Sequence, residues 1–176
     1  MLFIDFEKAF DSIEHNFLYK ALERFNFGPS FIKWIQTFYN NLSSCVLNNG
    51  FFSNPFQLER GVRQGDPLSP YLFLIAIEIM AISIRTNEQI EGIKIGKDET
   101  KYLLYADDMT ATLANISSVE KVIQTLDNFE KCSGLKMNLS KTKAMWIGKN
   151  KHPLETPLGL EGCTGVRTLG IDFSCA

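Results

Sequence analysis

The chain contains little cysteine, and its four cysteines lie far apart. They stand at positions 45, 132, 163 and 175, and no two of them form a Cys-x-x-Cys pair. This spacing argues against a structural zinc site and against a disulfide framework. We therefore expect a protein of a reducing compartment, the cytosol or the nucleus.

Long hydrophobic runs are also missing. The longest uninterrupted apolar run, Tyr71 to Ile77, is too short to cross a bilayer. The N-terminal residues do not have the composition of a secretory signal peptide, because Asp5 and Glu7 place two acids among them. We accordingly expect neither secretion nor a membrane partner.

The chain lacks an excess of positive charge. Eighteen lysines and arginines stand against twenty acids, a formal net charge of −2, whereas nucleic-acid phosphates require lysine and arginine. The exception is the stretch from Lys131 to His152, which holds six lysines and no acid. Such a run is often a solvated surface, yet charge asymmetry also indicates a charged partner, and both interpretations stay open.

The overall composition is that of an ordinary globular domain. Of 176 residues, 45% are hydrophobic and 22% are charged, and 14 phenylalanines predict an aromatic-rich core. Hydrophobic periodicity and turn residues predict strands interleaved with helices, hence an α+β layer. We expect strands at 2–6, 92–96, 101–104 and 142–147, a hairpin at 44–58 turning at 48–50, and helices at 16–26, 30–41, 67–85 and 117–132.

Capping signals mark the ends of two of these helices. Asp66 is a suitable N-cap for the helix at 67–85, and Pro67 suits its first position. Gly134 is placed to close the helix at 117–132, because glycine readily adopts the left-handed conformation found after helix C-termini.

Two adjacent acids, Asp107 and Asp108, follow Tyr105-Ala106 between apolar segments that suit β-strands. They therefore fall at the tip of a predicted tight hairpin. Neighbouring carboxylates concentrate negative charge, and a hard divalent cation such as Mg²⁺ relieves that repulsion. The plain alternative is a polar turn, because aspartate favours turns.

Two upstream segments add a third acid and a glycine-flanked loop. Leu2-Phe3-Ile4 is typical of a strand, and it delivers Asp5 at its end. The loop runs from Gly61 through Arg63-Gln64-Gly65 into a long apolar helix. A third acid and such a loop upstream favour a cation site over a simple turn.

Taken in order, these segments resemble motifs A, B and C of reverse transcriptases, most closely those of non-LTR (LINE-type) retrotransposons, with group II intron maturases as near relatives. Residues 5–11 are similar to motif A, residues 63–70 to motif B and residues 105–108 to motif C. Residues 134–143 resemble motif D, and Leu169-Gly170 resembles the start of motif E. The resemblance covers nearly the whole chain, and five ordered motifs are far more specific than one.

The resemblance implies a polymerase palm over residues 1–176, with an antiparallel sheet and helices packed on one face. It also implies two Mg²⁺ ions, with Mn²⁺ as a substitute, in a site that stabilises the attacking and leaving oxygens. The implied metal ligands are Asp5, Asp107, Asp108 and the backbone carbonyl of Phe6. Asp108 is the more dispensable of the three acids.

Contacts with substrate are implied as well. Phe10 would lie under the sugar of the incoming nucleotide, where an aromatic ring blocks a 2′-hydroxyl; core packing is its alternative role. Gln64 and Gly65 would lie against the nascent base pair, since glycine permits close approach and glutamine both donates and accepts. Arg63 would contact template phosphate or form an ion pair with Asp66. Tyr105 would pack beside the primer end or be a half-buried strand aromatic.

Two lysines and two further acids complete the candidates. Lys141 or Lys143 would protonate the leaving pyrophosphate as a general acid, and we favour Lys143. Glu7 lies two residues beyond Asp5 and so shares its strand face, which makes it a competitor for the metal. Asp11, the other competitor, has the position of a helix-start or turn acid.

The implied function is RNA-directed DNA polymerisation, the transfer of dNTPs onto a primer 3′-OH, with an RNA template and a DNA primer as partners. We expect the fingers and thumb to be missing from residues 1–176 and the isolated chain to be inactive; an attached endonuclease domain stays open. The rival function is an inactive retroelement relic with at most weak nucleic-acid binding, against which the intact acids argue. RNA polymerisation is disfavoured by Phe10 and by Tyr105-Ala106.

Overall fold

The computed structural model describes residues 1–147 and 159–174. In these residues the helices are α1 (Ala9–Ser12), α2 (His15–Arg24), α3 (Pro29–Tyr39), α4 (Ser69–Thr86) and α5 (Ile116–Ser133). The strands are β1 (Leu2–Ile4), β2 (Ser43–Ser44), β3 (Leu47–Asn48), β4 (Phe51–Phe52), β5 (Phe56–Gln57), β6 (Ile93–Ile95), β7 (Asp98–Thr100), β8 (Tyr102–Tyr105), β9 (Asp108–Ala111), β10 (Lys143–Ala144), β11 (Glu161–Gly162), β12 (Gly165–Thr168) and β13 (Ile171–Ser174).

A five-stranded sheet forms the centre of the domain. Its strand order is β11-β10-β1-β9-β8, and every neighbouring pair is antiparallel except β10 and β11, which run parallel. All three residues of β1 are buried. Consecutive apolar residues suit a strand that is covered on both faces, so the sequence Leu-Phe-Ile explains why β1 lies in the middle.

The two faces of this sheet have different neighbours. Leu2 and Ile4 belong to the hydrophobic core, together with residues of α2, α4 and α5. Phe3, which alternation directs to the other face, contacts Phe173 of the β12–β13 hairpin at 5.9 Å between ring centroids. The predicted α+β palm, an antiparallel sheet with helices packed on one face, is therefore confirmed.

Helix α4 is the central helix of the core. It has 18 residues and a mean hydropathy of 1.4, enough by length and composition to cross a membrane. Eight of its residues are buried within the protein, among them Leu72, Phe73, Met80 and Ile84. A core helix passes the same length and composition test, and these four residues belong to the hydrophobic core.

The predicted start of α4 is wrong by two residues. The helix begins at Ser69, with Pro70 rather than Pro67 in its first turn. Asp66 does act as a cap, but its Oδ1 accepts from the N–H of Leu68 at 2.8 Å, so it closes a turn that precedes the helix. At the other predicted cap, Gly134 has a φ of +77° and ends α5 as expected.

Other elements also differ from the sequence prediction, which did not contain β11, β12 or β13. Helix α1 is only four residues long, too short to show a hydrophobic period. Strand β7 is the polar Asp-Glu-Thr sequence, which forms a strand because it pairs with β6. The expected hairpin at 44–58 is two short ladders, with Asn49 and Gly50 at positive φ in its turn, and the expected strand at 142–147 is reduced to Lys143–Ala144.

Candidate active site

Asp5 lies directly after β1, at the end of the strand. Its backbone is fixed, because its carbonyl accepts from the N–H of Asn138 at 2.8 Å and its N–H donates to Thr142 Oγ1 at 3.4 Å. Although 41% of the side chain is exposed, Oδ2 is screened from water and has no hydrogen-bond partner. An unsatisfied carboxylate oxygen is costly, and a bound cation would satisfy it.

Asp107 and Asp108 lie at the tip of the β8–β9 hairpin, as the sequence predicts. Tyr105 and Asp108 form the last strand pair, so Ala106 and Asp107 make the turn. Ala106 has a φ of +52°, in the left-handed region. That conformation costs an L-residue about 1–2 kcal/mol, so the hairpin holds its acids at some cost in stability.

Strand register brings Asp5 and Asp108 to the same face of the sheet. Ile4 is paired with Met109, and both side chains lie in the core. Successive side chains alternate, so the neighbouring residues Asp5 and Asp108 project to the opposite face, the one that carries Phe3. The pKa of Asp108 is raised, first by loss of water around its partly shielded carboxylate and then by repulsion from Asp107 and Asp5.

These acids fit a cation without forming a complete cage. Within residues 1–147 and 159–174, no three acid, histidine or cysteine side chains are already arranged as a cation site. Asp108 is nevertheless repelled by Asp107 and Asp5, and Asp5 Oδ2 lacks a hydrogen-bond partner. Oxygen ligands of this kind are those that Mg²⁺ prefers, and Mg²⁺ completes its shell with water and substrate phosphate. The shared Mg²⁺ ions remain a prediction.

The backbone carbonyl of Phe6 is directed towards the hairpin side of β1. Phe6 is bridged to Met137, and the hydrogen bonds that flank this bridge use the carbonyl of Asp5 and the N–H of Glu7. Successive carbonyls of an extended chain point in opposite directions, so that of Phe6 points away from Asn138, to the side where β9 lies. Its predicted role as a metal ligand stays a prediction.

The two competing acids have other partners. Glu7 Oε1 lies 3.4 Å from the ammonium of Lys136, in an ion pair outside the hairpin. Asp11 lies in α1, and its Oδ1 accepts from Gln64 Nε2 at 3.3 Å. Asp5 is therefore the acid of this segment whose carboxylate keeps an unsatisfied oxygen.

Phe10 packs between the core and the loop that precedes α4. Its ring stacks on Phe73 of α4, with centroids 4.4 Å apart and an interplanar angle of 12°. Its carbonyl accepts from the N–H of Val62 at 2.7 Å. Phe10 thus has the core-packing role that the sequence left open as an alternative. The half-buried ring is also held in one orientation, which a steric gate for the sugar requires.

The loop residues Arg63, Gln64 and Gly65 are exposed. Gly65 has a φ of +86°, and a Cβ added there would meet no atom within 4 Å, so the space above it is open to a ligand. Arg63 forms no ion pair with Asp66 in the described part of the chain; its carbonyl accepts from the N–H of Asp66 at 3.3 Å. The contacts predicted for these residues with template and base pair stay predictions.

Tyr105 projects from the end of β8 and is 70% exposed. The alternative of a half-buried strand aromatic is therefore wrong. An exposed ring next to the acids is free to contact a ligand, and its predicted packing against a primer end remains a prediction.

Of the two candidate general acids, Lys141 is the one that reaches the carboxylates. Its Nζ lies 3.8 Å from Asp5 Oδ2. Lys143 lies in β10 opposite Phe3, two residues further from the acidic end of β1. The geometry thus favours Lys141 over Lys143, the residue preferred from the sequence.

The fold gathers part of the lysine-rich stretch around one groove. Lys131, Lys136 and Lys141 line it together with Lys8 and Arg60, which lie far away in sequence. Sequence reasoning missed Lys8 and Arg60, because no local pattern connects them with the run. Lys149 and Lys151 of the predicted run lie outside the described residues.

The sheet, the helices on its one face and the acids at the ends of β1 and β8–β9 on the other define the palm of the nucleic-acid polymerases. The profile of the family "Reverse transcriptase (RNA-dependent DNA polymerase)" matches residues 1–173, and the chain belongs to this family.

Retroelement proteins are among its relatives, which confirms the resemblance seen in the sequence. The chain is 30% identical over 152 residues to the Transposon TX1 uncharacterized 149 kDa protein of Xenopus laevis, covering 85% of this chain and 12% of that protein. It is 30% identical over 138 residues to the Pol polyprotein from retrotransposable element R2DM of Drosophila melanogaster, covering 78% of this chain and 13% of the relative. The chain thus spans about one eighth of the length of these relatives.

Solved structures share the fold. Telomerase from Candida tropicalis, in complex with a fragment of telomeric RNA, superposes with a TM-score of 0.65 at 16% identity, over 99% of this chain and 28% of the telomerase chain. A truncated apo form of that telomerase gives a TM-score of 0.66. At such low identity the likeness shows the palm fold and no more.

Proposed function

We propose that this chain is the catalytic palm of an RNA-directed DNA polymerase of a non-LTR retroelement, which extends a DNA primer on an RNA template. The observation that carries the proposal is the register of β1 and β9, which directs Asp5 and Asp108 to one face beside Asp107. The unsatisfied Oδ2 of Asp5 supports a cation there. Membership of the reverse transcriptase family supplies the reaction class.

Divalent cations are expected for this family, and the carboxylates of Asp5, Asp107 and Asp108 would hold them here, together with the carbonyl of Phe6. When bound, Mg²⁺ supplies electrostatic stabilisation of the attacking and leaving oxygens. The pKa of Asp108 is raised, first by loss of water around its carboxylate and then by repulsion from Asp107 and Asp5, so bound positive charge would favour its ionised form.

Lys141 is proposed to hold the proton that the leaving pyrophosphate takes up. Its ammonium lies 3.8 Å from Asp5, at the acidic end of the sheet, and 69% of its side chain is exposed. An exposed lysine on a flexible stem is able to turn from the carboxylate towards a phosphate oxygen. Lys143 is the second candidate for this proton.

Phe10, Gln64 and Gly65 are proposed to select the nucleotide. The Phe10 ring is fixed by its stacking on Phe73, so it cannot easily retreat from a 2′-hydroxyl. Gln64 and the open space above Gly65 lie on the same loop, where a base pair could approach the backbone closely. Arg63 and Tyr105, both exposed, are proposed to contact the template phosphates and the primer end.

Template, primer and the remaining parts of the enzyme belong to the proposal as well. The groove lined by Lys8, Arg60, Lys131, Lys136 and Lys141 also holds Glu7 and Glu130, so its cations outnumber its acids in a chain whose net charge is −2. Such a surface attracts phosphate in a salt-dependent manner. We expect fingers, thumb and any endonuclease domain to be supplied by the full-length protein.

The test is primer extension by the full-length protein, with an RNA template, a DNA primer and saturating Mg²⁺. Asp107→Asn removes one proposed metal ligand and should abolish extension while the fold is retained, as judged by circular dichroism. Asp127→Asn, an exposed acid on α5, is the matched control and should extend like the parent protein. Near-normal extension by Asp107→Asn would refute the assignment of Asp107 as a metal ligand. An inactive parent protein would favour the rival function, an inactive retroelement relic.

A further inference from the structure

His15, the first residue of α2, contacts the loop that precedes α4. Its Nε2 lies 2.9 Å from the carbonyl oxygen of Gly61, and because a carbonyl only accepts, Nε2 carries the hydrogen and donates. The ring also packs edge-on against Tyr39, with centroids 5.1 Å apart. The hydroxyl of Tyr39 in turn lies 3.3 Å from Ser69 Oγ, at the start of α4. The ring therefore contacts one end of this loop directly and is connected with the other end through Tyr39.

Gly61 is held from both sides. Its N–H donates to the carbonyl of Ile13 at 2.8 Å, while its own carbonyl accepts from His15. Its φ is +88°, and an added Cβ would lie 2.8 Å from the Cα of Asp11, so only glycine fits against α1. The peptide at Gly61 is thus an anchor for the loop.

This anchor lies directly beside the residues proposed to select the nucleotide. The next amide, that of Val62, donates to the carbonyl of Phe10 at 2.7 Å. Gln64 and Gly65 follow as exposed residues, two to three positions beyond that bond. A shift of the peptide at Gly61 would therefore move this segment relative to the Phe10 ring.

We propose that His15 is a positioning residue for nucleotide binding, whose Nε2–H holds Gly61 and thereby sets the distance between residues 63–65 and the Phe10 ring. The consequence for catalysis rests on the proposed function; the anchoring itself does not. Loss of the His15 donor leaves the Gly61 carbonyl without its partner and loosens the loop. The acids at the ends of β1 and of the β8–β9 hairpin are not affected. Loss of the donor should therefore lower the affinity for the nucleotide more than it lowers the rate at which the bound nucleotide reacts.

Three variants separate the hydrogen bond from the ring packing. His15→Phe keeps a ring against Tyr39 but removes the donor. His15→Gln removes the ring but keeps an N–H donor at a similar reach. Lys20→Gln, an exposed position on the same helix, is the matched control.

The first measurement is hydrogen exchange of the Val62 amide in the 176-residue chain, which needs no polymerase activity. His15→Phe should exchange about tenfold faster at this amide, the effect of losing roughly one hydrogen bond, while buried amides of α4 keep their protection. His15→Gln and Lys20→Gln should exchange like the parent chain. Full protection in His15→Phe together with lost protection in His15→Gln would overturn the proposal, because ring packing alone would then hold the loop.

The second measurement is the KM for dNTP against kcat in the full-length protein. His15→Phe should raise KM about tenfold with kcat within about twofold, and His15→Gln should restore the parent KM. A fall in kcat at unchanged KM would overturn the positioning role. If the parent protein does not polymerise, the proposed function fails, and the exchange measurement still decides whether His15 anchors the loop.

Discussion

Gly61 and Gly65 lie in the same loop and have nearly the same backbone conformation, yet their surroundings differ. Their φ angles are +88° and +86°. A Cβ at Gly61 would lie 2.8 Å from the Cα of Asp11 and 2.9 Å from its carbonyl oxygen, whereas a Cβ at Gly65 would meet no atom within 4 Å. Alanine would therefore have a strained backbone at both positions, and only at Gly61 would its methyl group also clash with the backbone of Asp11.

The two costs have different magnitudes. A left-handed backbone costs an L-residue about 1–2 kcal/mol, which is the whole loss expected for Gly65→Ala. Overpacking against backbone adds about 1–3 kcal/mol, so Gly61→Ala should lose about 2–5 kcal/mol. Because the conformational cost is common to both variants, their difference measures the contact between the loop and α1.

The assay is urea unfolding of the 176-residue chain, followed by circular dichroism and compared at constant m-value. Gly61→Ala should lose the larger free energy of unfolding. In the full-length protein, Gly65→Ala should stay folded but bind dNTP more weakly, since its methyl group enters the space left open for the base pair. Equal losses of unfolding free energy in the two variants would refute the reasoning from Asp11.

Three further predictions concern single side chains. Phe10→Val should raise the ratio of rNTP to dNTP incorporation; an unchanged ratio would leave Phe10 as a packing partner of Phe73. Lys141→Ala should slow single-turnover extension more than Lys143→Ala does, and the reverse order would restore the lysine preferred from the sequence. Asp108→Asn should raise the Tm of the chain in EDTA at neutral pH. The pKa of Asp108 in the folded protein is raised above its usual value of 3.8. Ionising Asp108 therefore lowers the stability of the parent chain as pH rises from 3.8 through the raised pKa. In acid both forms are uncharged at this position, so the advantage of the variant should vanish.

The acidic site was largely predictable from local sequence. An apolar strand that ends in Asp5, and two apolar segments that flank Asp107-Asp108, define strand ends and a turn by composition alone. The residue order also identified the family, which the match over residues 1–173 confirms. Sequence could not decide that Asp5 and Asp108 share a face, because that depends on the pairing of Ile4 with Met109.

The secondary-structure predictions were wrong where a local sequence signal was short or where strand pairing outweighed it. Asp66 and Pro67 have the composition of a helix start, but the chain makes one more turn before α4. Strand β7 has polar residues that disfavour a strand, and its pairing with β6 outweighs that preference. The choice between Lys141 and Lys143 stays a prediction: spacing alone cannot show which ammonium lies near Asp5, and the structure places that of Lys141 3.8 Å from it.

Local strand, turn and glycine signals were enough to predict the class of the domain, the three acids and the loop that accompanies them. Which distant groups meet could be seen only in the folded chain. It brought Lys8 and Arg60 to the lysines after α5, and His15 to the carbonyl of Gly61, 46 residues away. Such contacts follow from the packing of helices on a sheet, and no periodicity within the chain encodes them.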